Sequence, residues 1–400
     1  MNIGVLGAGR VGTTLGAALV RAGHTVTYGT RDTLGQVATA AEGVVLATPY
    51  DALDAVVRAV GSALDGKVVI DASNPLRSGA GLEVGHTESG AEVLQRRVPT
   101  ARVVKCFNTV GTEVMANPQV AGRAATMFLC GDDAGARGTA AALARAIGFQ
   151  PLDVGALTNA RLLEPAAALW VHLAMVERLG RRIALRLESE GARAAPRVTS
   201  SPARSIAIIG AGHIGAGLCR AWLAAGHRVT LGVRSPEKVQ GLPAAEVADA
   251  VAQSDVVALA LPAQAVDGLA ATAGFAGKVV IDCTNRLAPG FKLEFGHTTS
   301  WAEQVAKVLP GAKVFKSFNA QGAENLVAPV YASGRAANFF CGDDAAGREV
   351  VSQLVVDVGF EPVFAGPLKN ARLLEPLMLL WVAASRALGR RSAGFQLLRE

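Results

Sequence analysis

Short apolar runs alternate with longer amphipathic segments along most of the chain. Residues 3–6 form such a run, residues 13–22 then place apolar side chains at helical spacing up to Gly23, and residues 24–28 form the next run. Short, almost fully apolar runs are typical of strands that are buried on both faces of a parallel sheet. Their alternation with helical segments predicts an α/β fold built on doubly wound parallel sheets.

This pattern occurs twice. Residues 3–12 return as residues 206–215, and most of the sequence after each of these segments is repeated as well. The further matched segments are 67–74 with 278–285, 82–86 with 293–297, 103–108 with 314–319, and 159–165 with 370–376. The second copy also carries a short insertion between Arg234 and Pro262. Because each copy is long enough to build its own core, the repeat indicates a tandem duplication of a whole domain.

Each copy opens with Gly-x-Gly-x-x-Gly, placed between a predicted strand and a predicted helix. In the first copy Gly7 permits a tight turn, Gly9 lets the backbone approach a pyrophosphate, and Gly12 lets the helix pack on the strand. The helix N-terminus also offers free N–H groups and a partial positive charge to phosphates. The second copy repeats the motif as Gly210, Gly212 and Gly215. Two such motifs in this context predict two dinucleotide-binding domains of the Rossmann type.

The predicted boundaries are 1–188 for the first Rossmann repeat, 189–204 for a linker, and 205–400 for the second repeat. The linker is rich in Ala, Arg, Ser and Pro and has no periodicity. The last helix of each copy, predicted over 161–187 and 372–398, carries Leu and Trp on most faces and requires a partner. The other copy is the simplest partner, so we expect a pseudo-dimer within one chain, whereas further association of chains stays open.

The end of the second strand favours NADP(H) over NAD(H). NAD sites commonly place Asp or Glu there, to bind the ribose 2′-hydroxyl. Here Thr30 and Arg31 follow the strand in the first copy, and Val233 and Arg234 in the second. Arginine suits a 2′-phosphate through bidentate, charge-assisted hydrogen bonds, and Lys238 adds a second positive charge in the second copy. Asp32 leaves some room for NAD in the first copy.

No nucleophile–base arrangement and no metal cluster is evident in the sequence, so we assign no catalytic residue and no metal ligand. Three matched pairs of ionisable residues are more consistent with structural roles than with catalysis: His86 and His297, Lys105 and Lys316, and Asp71 and Asp282. Lack of an evident acid or base is consistent with hydride transfer between two bound cofactors, where positioning matters most.

Composition excludes several classes of protein. The chain has 400 residues, 50% of them hydrophobic and 18% charged, with a net charge of +6 that forms no Lys/Arg-rich run with interleaved aromatics. We therefore expect no nucleic-acid partner. The apolar stretches are too short to span a bilayer, and five cysteines without Cys-x-x-Cys spacing indicate reduced thiols. These features predict a soluble, cytoplasmic protein that does not bind membranes.

Nearly all of both copies resembles the NADPH-dependent F420 reductase family. The resemblance is carried by Gly-Thr-Arg after the second strand, by Cys-Gly-Asp-Asp at 130–133 and 341–344, and by the segments 152–164 and 366–375. The related Rossmann domain of the STEAP metalloreductases shares the Phe-Asn-Thr type of segment at 107–109. The resemblance implies reversible hydride transfer between NADP(H) and a deazaflavin, coenzyme F420, on a small Rossmann fold that dimerises through its C-terminal helices.

In that family the glycine turn and the Thr/Ser-Arg pair hold NADP. These roles carry over to Gly7, Gly9, Arg10, Val11, Gly12, Thr30 and Arg31, and to Gly210, Gly212, His213, Ile214, Gly215, Arg234 and Lys238. Strand ends and the amides beside them complete the expected cofactor-binding set: Thr48, Pro49, Asn74 and Asn108, then Val233, Leu261, Pro262, Asn285 and Asn319.

Two departures leave the hydride acceptor open. Archaeal family members have a histidine-containing segment beside the deazaflavin, where this chain has Phe-Asn-Thr-Val at 107–110 and Phe-Asn-Ala-Gln at 318–321. The family's usual chain is also a single unit. The leading hypothesis is an NADP(H)-dependent oxidoreductase with F420 or a flavin as acceptor. The alternatives are a reductase or dehydrogenase of a small carbonyl or imine metabolite, and a non-catalytic NADP(H)-binding sensor.

Overall fold

The computed structural model describes residues 1–77, 81–195 and 202–400. These residues divide into two compact units, and the C-terminal part of the chain contributes to both. Unit 1 comprises Met1–Arg186, Val382–Leu388 and Leu397–Glu400, and unit 2 comprises Leu187–Trp381 and Gly389–Gln396. The boundaries at 188 and 205 stay a prediction, as does the pairing of the two copies. Residues 196–201 of the predicted linker lie outside the described residues.

The first copy folds around a seven-stranded sheet with the order β2-β1-β3-β4-β5-β8-β9. Its strands are β1 (Asn2–Leu6), β2 (Thr25–Gly29), β3 (Gly43–Leu46), β4 (Val68–Asp71), β5 (Arg102–Lys105), β6 (Gln119–Val120), β7 (Arg123–Ala124), β8 (Thr126–Gly131), β9 (Gln150–Asp153) and β10 (Ile183–Glu188). Its helices are α1 (Arg10–Arg21), α2 (Leu34–Ala40), α3 (Leu53–Val60), α4 (Gly90–Arg97), α5 (Thr112–Ala116), α6 (Ala134–Ile147) and α7 (Ala160–Val171).

The second copy folds around an eight-stranded sheet with the order β13-β12-β11-β14-β15-β18-β21-β22. Its strands are β11 (Ser205–Ile209), β12 (Arg228–Gly232), β13 (Ala244–Ala245), β14 (Val256–Leu259), β15 (Val279–Asp282), β16 (Leu287–Ala288), β17 (Lys292–Leu293), β18 (Lys313–Lys316), β19 (Val330–Tyr331), β20 (Gly334–Arg335), β21 (Ala337–Gly342), β22 (Glu361–Phe364) and β23 (Gly394–Arg399). Its helices are α8 (His213–Ala224), α9 (Val247–Ala252), α10 (Trp301–Val308), α11 (Glu324–Val327), α12 (Ala345–Val358) and α13 (Ala371–Leu388).

Both sheets are doubly wound, as the repeated pattern predicts. The central strands β3, β4 and β14 are buried along their whole length, because Val, Ile and Leu face helices on both sides of the sheet. Two matched helices start where the sequence offers a cap: Ser89 and Ser300 accept from the backbone N–H groups at the third residue of α4 and α10. In each unit, therefore, local sequence and tertiary packing favour the same elements.

Three details differ from the expectation. One pair of neighbours in each sheet is antiparallel, β5 with β8 and β18 with β21, because the chain between them forms only a short helix and a hairpin and lacks the long crossover that a parallel pairing needs. The predicted insertion between Arg234 and Pro262 supplies the additional edge strand β13. The last helices are shorter than 161–187 and 372–398, and each is followed by a strand, β10 or β23.

The helix error has a physical cause. Apolar residues continue past both helices, because the strands after them are also buried. In the first copy α7 ends at Val171, a single π-helical turn follows over His172–Val176, and Gly180 then adopts a positive φ of 83°. In the second copy Gly389, with φ of 64°, marks the same break. Within the described ranges, no helix has the length and apolar character needed to cross a membrane.

Candidate functional site

The first glycine turn lies at the switch point of the sheet in unit 1. β1 has β2 on one side and β3 on the other, so helices after these strands leave in opposite directions and open a crevice at their carboxyl ends. Gly7 closes the turn there: its N–H donates to Gly29 O at 3.0 Å, its φ is 110°, and a Cβ would lie 2.6 Å from Ala47 O. Only glycine fits this position.

Gly9 and Gly12 have opposite surroundings. A Cβ on Gly12 would overlap the carbonyl oxygen of Gly7, whereas a Cβ on Gly9 would meet no atom of the described residues within 4 Å. Gly9 has ordinary extended dihedrals, φ −75° and ψ −176°. Neither the turn nor the packing therefore requires a glycine at this position. The missing side chain leaves room at the protein surface, where the motif would place a pyrophosphate.

The helix that starts at this turn offers unpaired donors. Gly9 is the N-cap of α1, no described side chain caps it, and the first turn contains no acidic residue. Two other helices of the same unit are capped, since Ser89 accepts from Glu92 N and Asp133 accepts from Ala136 N, whereas α2, α3, α5 and α7 also have no side-chain cap. An N-terminus without a side-chain acceptor keeps N–H groups and a partial positive charge available for an anion.

Unit 2 repeats this arrangement. Gly210 has φ of 110° and donates to Gly232 O at 3.1 Å, and a Cβ on Gly215 would overlap Gly210 O. Gly212 is the N-cap of α8, is not capped by a described side chain, and has open space beyond its Cα. The two turns are therefore equivalent in backbone geometry, and the binding of phosphate groups by either turn stays a prediction.

The residues predicted to select NADP lie at the carboxyl end of the second strand in each unit. Arg31 and Arg234 are exposed. Thr30 is fixed by Thr33, whose Oγ1 accepts from Thr30 N at 2.9 Å and lies 3.1 Å from Thr30 Oγ1. Lys238 is exposed on the short turn Pro236–Lys238, within the insertion of the second copy. Binding of a 2′-phosphate by these residues stays a prediction.

The remaining predicted cofactor residues follow the neighbouring strands. Thr48 and Pro49 come after β3, and Leu261 and Pro262 come after β14; all four are at least partly accessible. Val11 and Ile214 lie in the first turns of α1 and α8 and are half-buried.

The predicted asparagines are brought together in pairs. In unit 1 Asn108 Nδ2 donates to Asn74 Oδ1 at 3.0 Å and to Leu163 O at 3.1 Å, and Asn74 Nδ2 donates to Asn108 O at 2.9 Å. Unit 2 repeats these bonds between Asn285 and Asn319 at 3.1 and 3.2 Å. The pairs tie together the segments that follow two adjacent strands. Asn108 Oδ1 has no hydrogen-bond partner among the described residues.

The segment next to each pair is strained in the same way in both units. Phe107 and Phe318 precede Asn108 and Asn319 and have positive φ of 63° and 56°. Both rings are buried, at 1% and 2% exposure. A positive φ is costly for an aromatic residue and persists only where its surroundings enforce it, which is most frequent at functional sites. This strain marks the edge of the crevice and is not visible in the sequence.

A buried ion cluster holds the strand ends in place. Lys105 Nζ lies 2.9 Å from Asp71 Oδ2 and 2.8 Å from Glu164 Oε1, and all three side chains are at most 1% exposed. Glu164 also accepts from Gly90 N and Ala91 N, the N-terminus of α4. Burial alone would lower the pKa of Lys105, but the two carboxylates outweigh burial and raise it; burial raises the pKa of Glu164.

Unit 2 contains the same cluster, with Lys316 Nζ 2.8 Å from Asp282 and 3.3 Å from Glu375. Asp282 is further bound by Thr284 N at 2.9 Å, and Glu375 by Trp301 N at 2.9 Å. These contacts hold the carboxyl ends of the strands together, and the lack of a catalytic role for the lysines and aspartates stays a prediction. The participation of Glu164 and Glu375 was missed, although a glutamate before proline inside an apolar repeated segment was the available signal.

The copies differ beneath the crevice. The Tyr50 ring follows Pro49 and packs on Gly90, where a Cβ would lie 3.0 Å from Tyr50 Cε2. At the position of Gly90 the second copy has Trp301, which is 2% exposed and donates its Nε1–H to Thr284 Oγ1 at 2.7 Å. At the position of Tyr50 it has Ala263, on the turn Ala263–Ala271 against which α10 packs. Each unit thus has one large aromatic ring among these positions, Tyr50 in unit 1 and Trp301 in unit 2.

The other ionisable candidates lie outside this arrangement. His86 and His297 have positive φ of 65° and 58° in matched loops and are half-buried. All five cysteines are buried and free. Within the part of the chain that the structure describes, no group of three or more His, Cys, Asp or Glu side chains could hold a metal ion.

The chain is similar in sequence to several known proteins. The family model described as NADP oxidoreductase, coenzyme F420-dependent, matches residues 205–286. A solved structure from Arthrobacter sp. FB24, described as a candidate F420-dependent NADP-reductase, is 34% identical and covers 46% of this chain and 96% of that chain, with a TM-score of 0.43. A hypothetical protein from Sinorhizobium meliloti is 31% identical, over 42% of this chain and 87% of that one, with a TM-score of 0.39.

Among curated proteins, the metalloreductase STEAP3 of Rattus norvegicus is 33% identical over 180 residues, which are 41% of this chain and 36% of that protein. The chain therefore spans about a third of the length of this relative. The Arthrobacter protein, in contrast, is covered almost completely at 34% identity, and the family model matches the start of the second copy. The chain belongs to the family of coenzyme F420-dependent NADP oxidoreductases, as a tandem duplication of its domain.

Proposed function

We propose that the protein transfers a hydride between NADP(H) and a deazaflavin of the F420 type or a flavin. The observation that carries the proposal is the pair of uncapped helices at the two switch points, where Gly9 and Gly212 lack side chains although a Cβ would meet no described atom. Open space at an uncapped helix N-terminus is what a pyrophosphate requires. Membership in an NADP-dependent oxidoreductase family supports the same nucleotide.

The residues of each unit would then divide the binding of one nucleotide. The glycine turn and the first N–H groups of α1 or α8 would bind the pyrophosphate, and Arg31 or Arg234 would bind the 2′-phosphate. The paired amides, Asn74 with Asn108 and Asn285 with Asn319, would keep two strand ends fixed at the far side of the crevice. NADP(H), when bound, supplies or accepts the hydride.

Reduction of F420 or a flavin by a hydride also takes up one proton, which would come from solvent and not from the buried lysines. Lys105 and Lys316 are fully buried, and each is fixed by two carboxylates that raise its pKa, so neither can release a proton to a bound molecule near neutral pH. Hydride transfer between two conjugated ring systems needs close, parallel positioning and gains most from a rigid site. The buried ion clusters and the asparagine pairs supply that rigidity.

The test is oxidation of NADPH by the purified full chain, followed at the NADPH absorption band, with F420, FMN and FAD offered as separate acceptors. We expect turnover with F420 or with a flavin, and none in a Gly9→Ala, Gly212→Ala double variant that remains folded. Turnover with F420 alone would assign the deazaflavin, and turnover with FMN or FAD alone would assign the flavin. Tight NADPH binding without oxidation by any of the three acceptors would contradict the proposal.

A further inference from the structure

The proposed nucleotide sites have a defined direction along the edge of each sheet. In unit 1 the glycine turn follows β1 and Arg31 follows β2, so a nucleotide whose pyrophosphate and 2′-phosphate lie there extends towards the next strand, β3. Its nicotinamide would lie beside the segments that follow β3 and β4, and in unit 2 beside those that follow β14 and β15. A hydride acceptor has to lie against the nicotinamide ring, so side chains of these segments would contact it.

In unit 1 this region contains Tyr50. The tyrosine lies in the segment that follows β3, is half-buried, and packs its ring on Gly90. None of the described residues forms a hydrogen bond with its hydroxyl. Burial raises the pKa of Tyr50, and the carboxylates of Glu164, Glu83 and Glu88 raise it further. The hydroxyl therefore stays protonated near neutral pH and can donate a hydrogen bond to a bound molecule.

Unit 2 has Ala263 at the position of Tyr50, and this residue offers no hydroxyl. The large ring comes from Trp301, which is 2% exposed and whose Nε1–H donates to Thr284 Oγ1 at 2.7 Å. The Phe295 ring stacks on the indole, with the ring centroids 5.9 Å apart. The indole is therefore a packed core group whose single donor is already bonded within the protein.

An arginine ties together the segments at the same end of unit 2. The guanidinium of Arg286 lies over the Trp301 ring, with its Cζ 4.7 Å from the ring centroid. Its Nη1 donates to both carboxylate oxygens of Asp267, at 3.0 and 2.8 Å, and its Nε donates to Glu294 Oε2 at 3.0 Å. Arg286 thereby joins the segment after β14 to the segment after β15. Unit 1 has Pro75 at this position, which can form none of these contacts.

We propose that the hydride acceptor is bound and reduced in unit 1, where Tyr50 holds it against the nicotinamide, and that unit 2 binds NADP(H) without reducing this acceptor. This inference rests on the proposed function. The Tyr50 hydroxyl would donate to a carbonyl oxygen or ring nitrogen of the deazaflavin or flavin, and its ring would form one wall of the acceptor site. In unit 2 Ala263 offers no donor, and Arg286 holds together the two segments that the acceptor would have to contact.

The chemical step in unit 1 is the hydride transfer already proposed. A C–H bond at the nicotinamide of NADPH breaks, and its electron pair moves with the hydrogen to a ring carbon of F420 or a ring nitrogen of a flavin. NADPH is thereby oxidised and the acceptor is reduced, and one proton from solvent completes the reduced acceptor. Tyr50 neither gains nor loses a proton in this step. Its loss should therefore weaken the binding of the acceptor more than it slows the transfer.

The experiment measures the binding and the oxidation of NADPH in the full chain with one glycine turn altered at a time, with F420 and then FMN as acceptor. The NADPH concentration is chosen to fill only the intact site. Gly9→Ala should bind one NADPH per chain, in unit 2, and its rate of NADPH oxidation should fall at least about tenfold. Gly212→Ala should also bind one NADPH per chain, in unit 1, and keep most of the turnover. Equal losses of turnover in the two variants, or a loss confined to Gly212→Ala, would overturn the inference and leave the proposed function intact.

A further variant tests the tyrosine itself. Tyr50→Phe keeps the ring on Gly90 and removes the hydroxyl alone, so the KM for the acceptor should rise about threefold to tenfold, with little change in kcat or in the affinity for NADPH. Tyr28→Phe is the matched control, because the Tyr28 hydroxyl donates to Thr13 O within the protein, and it should leave the KM for the acceptor unchanged. An unchanged KM in Tyr50→Phe would overturn the inference. Failure of the unaltered chain to oxidise NADPH with any acceptor would instead overturn the proposed function, and the inference with it.

Discussion

Lys105 Nζ lies 2.8 Å from Glu164 Oε1, and neither side chain reaches solvent. The two residues belong to β5 and α7, so their contact joins the central sheet to a helix far along the chain. Glu164 uses its other oxygen to accept from the first N–H of α4, which makes one carboxylate the link between three elements. This buried ion pair is therefore a structural joint, a contact that holds β5, α7 and α4 together.

Replacement of this carboxylate should destabilise unit 1 without touching the nucleotide. Glu164→Gln puts an NH2 group where an ammonium or a backbone N–H already donates, so a buried donor loses its acceptor. We expect a loss of about 2–3 kcal/mol in the free energy of unfolding, measured by urea denaturation. Glu88→Gln is the control, because Glu88 pairs with Arg96 at the exposed surface, and it should change the same quantity by about 0.5 kcal/mol at most. Equal effects would show that the cluster is not a structural joint.

Two glycines of one motif should respond differently to alanine. Gly9→Ala has open space and ordinary dihedrals, so the thermal unfolding midpoint should hardly change, whereas NADPH affinity should fall at least about tenfold because the new methyl group occupies the pyrophosphate position. Gly12→Ala would force α1 away from β1 and should lower the midpoint itself. Gly212→Ala and Gly215→Ala provide the matched pair in unit 2. If Gly9→Ala bound NADPH normally, the turn would not be a phosphate site.

Removal of the arginines after β2 and β12 should weaken the binding of NADPH much more than the binding of NADH. Arg31→Ala and Arg234→Ala delete a cation that the 2′-phosphate needs and that the 2′-hydroxyl of NADH does not. We expect NADPH binding to weaken by about tenfold to a hundredfold and NADH binding to change little, as measured by titration of each nucleotide. Arg145→Ala, on the last turn of α6, serves as a charge-matched control. A parallel loss for both nucleotides would remove the 2′-phosphate assignment.

The cysteines should be unreactive in the folded protein. Burial raises the pKa of Cys219 to about 11, and burial raises the pKa values of Cys106, Cys130, Cys283 and Cys341 still further. At pH 8 only a small fraction of these thiols is therefore ionised, and burial keeps reagents away from them. Iodoacetamide labelling followed by mass spectrometry should modify none of the five before unfolding and all of them in denaturant. Rapid labelling of the native chain would contradict their assignment as core residues.

The parts of the fold that sequence reasoning predicted are those encoded locally. The strands that flank Gly7 and Gly210 are short apolar runs whose neighbours along the chain are turns and helices, and each motif specifies its own backbone path. The second copy strengthened these inferences, because both copies keep the motif although they differ at many other positions. The insertion after Arg234 was visible for the same reason, and the structure gives it an edge strand.

The features that could not be predicted depend on contacts between distant residues. Asp71, Lys105 and Glu164 are separated by long stretches of chain, and nothing local indicates that their charges meet. The helix predicted over 161–187 was too long, since a buried helix and a buried strand have similar apolar composition and only Gly180 separates them. The positive φ of Phe107 is likewise imposed by its surroundings and not by its residue type.

The ring that packs beneath the crevice comes from Tyr50 in one copy, where its neighbour is Gly90, and from Trp301 in the other, where the tyrosine position is Ala263. The two copies thus place a large ring at different positions of the repeated sequence. The consequence is that homologous parts are no longer interchangeable: a chimaera that carries α10 in place of α4 would have two rings competing for one space. The two copies therefore differ in their side-chain packing, although both retain the same glycine turn.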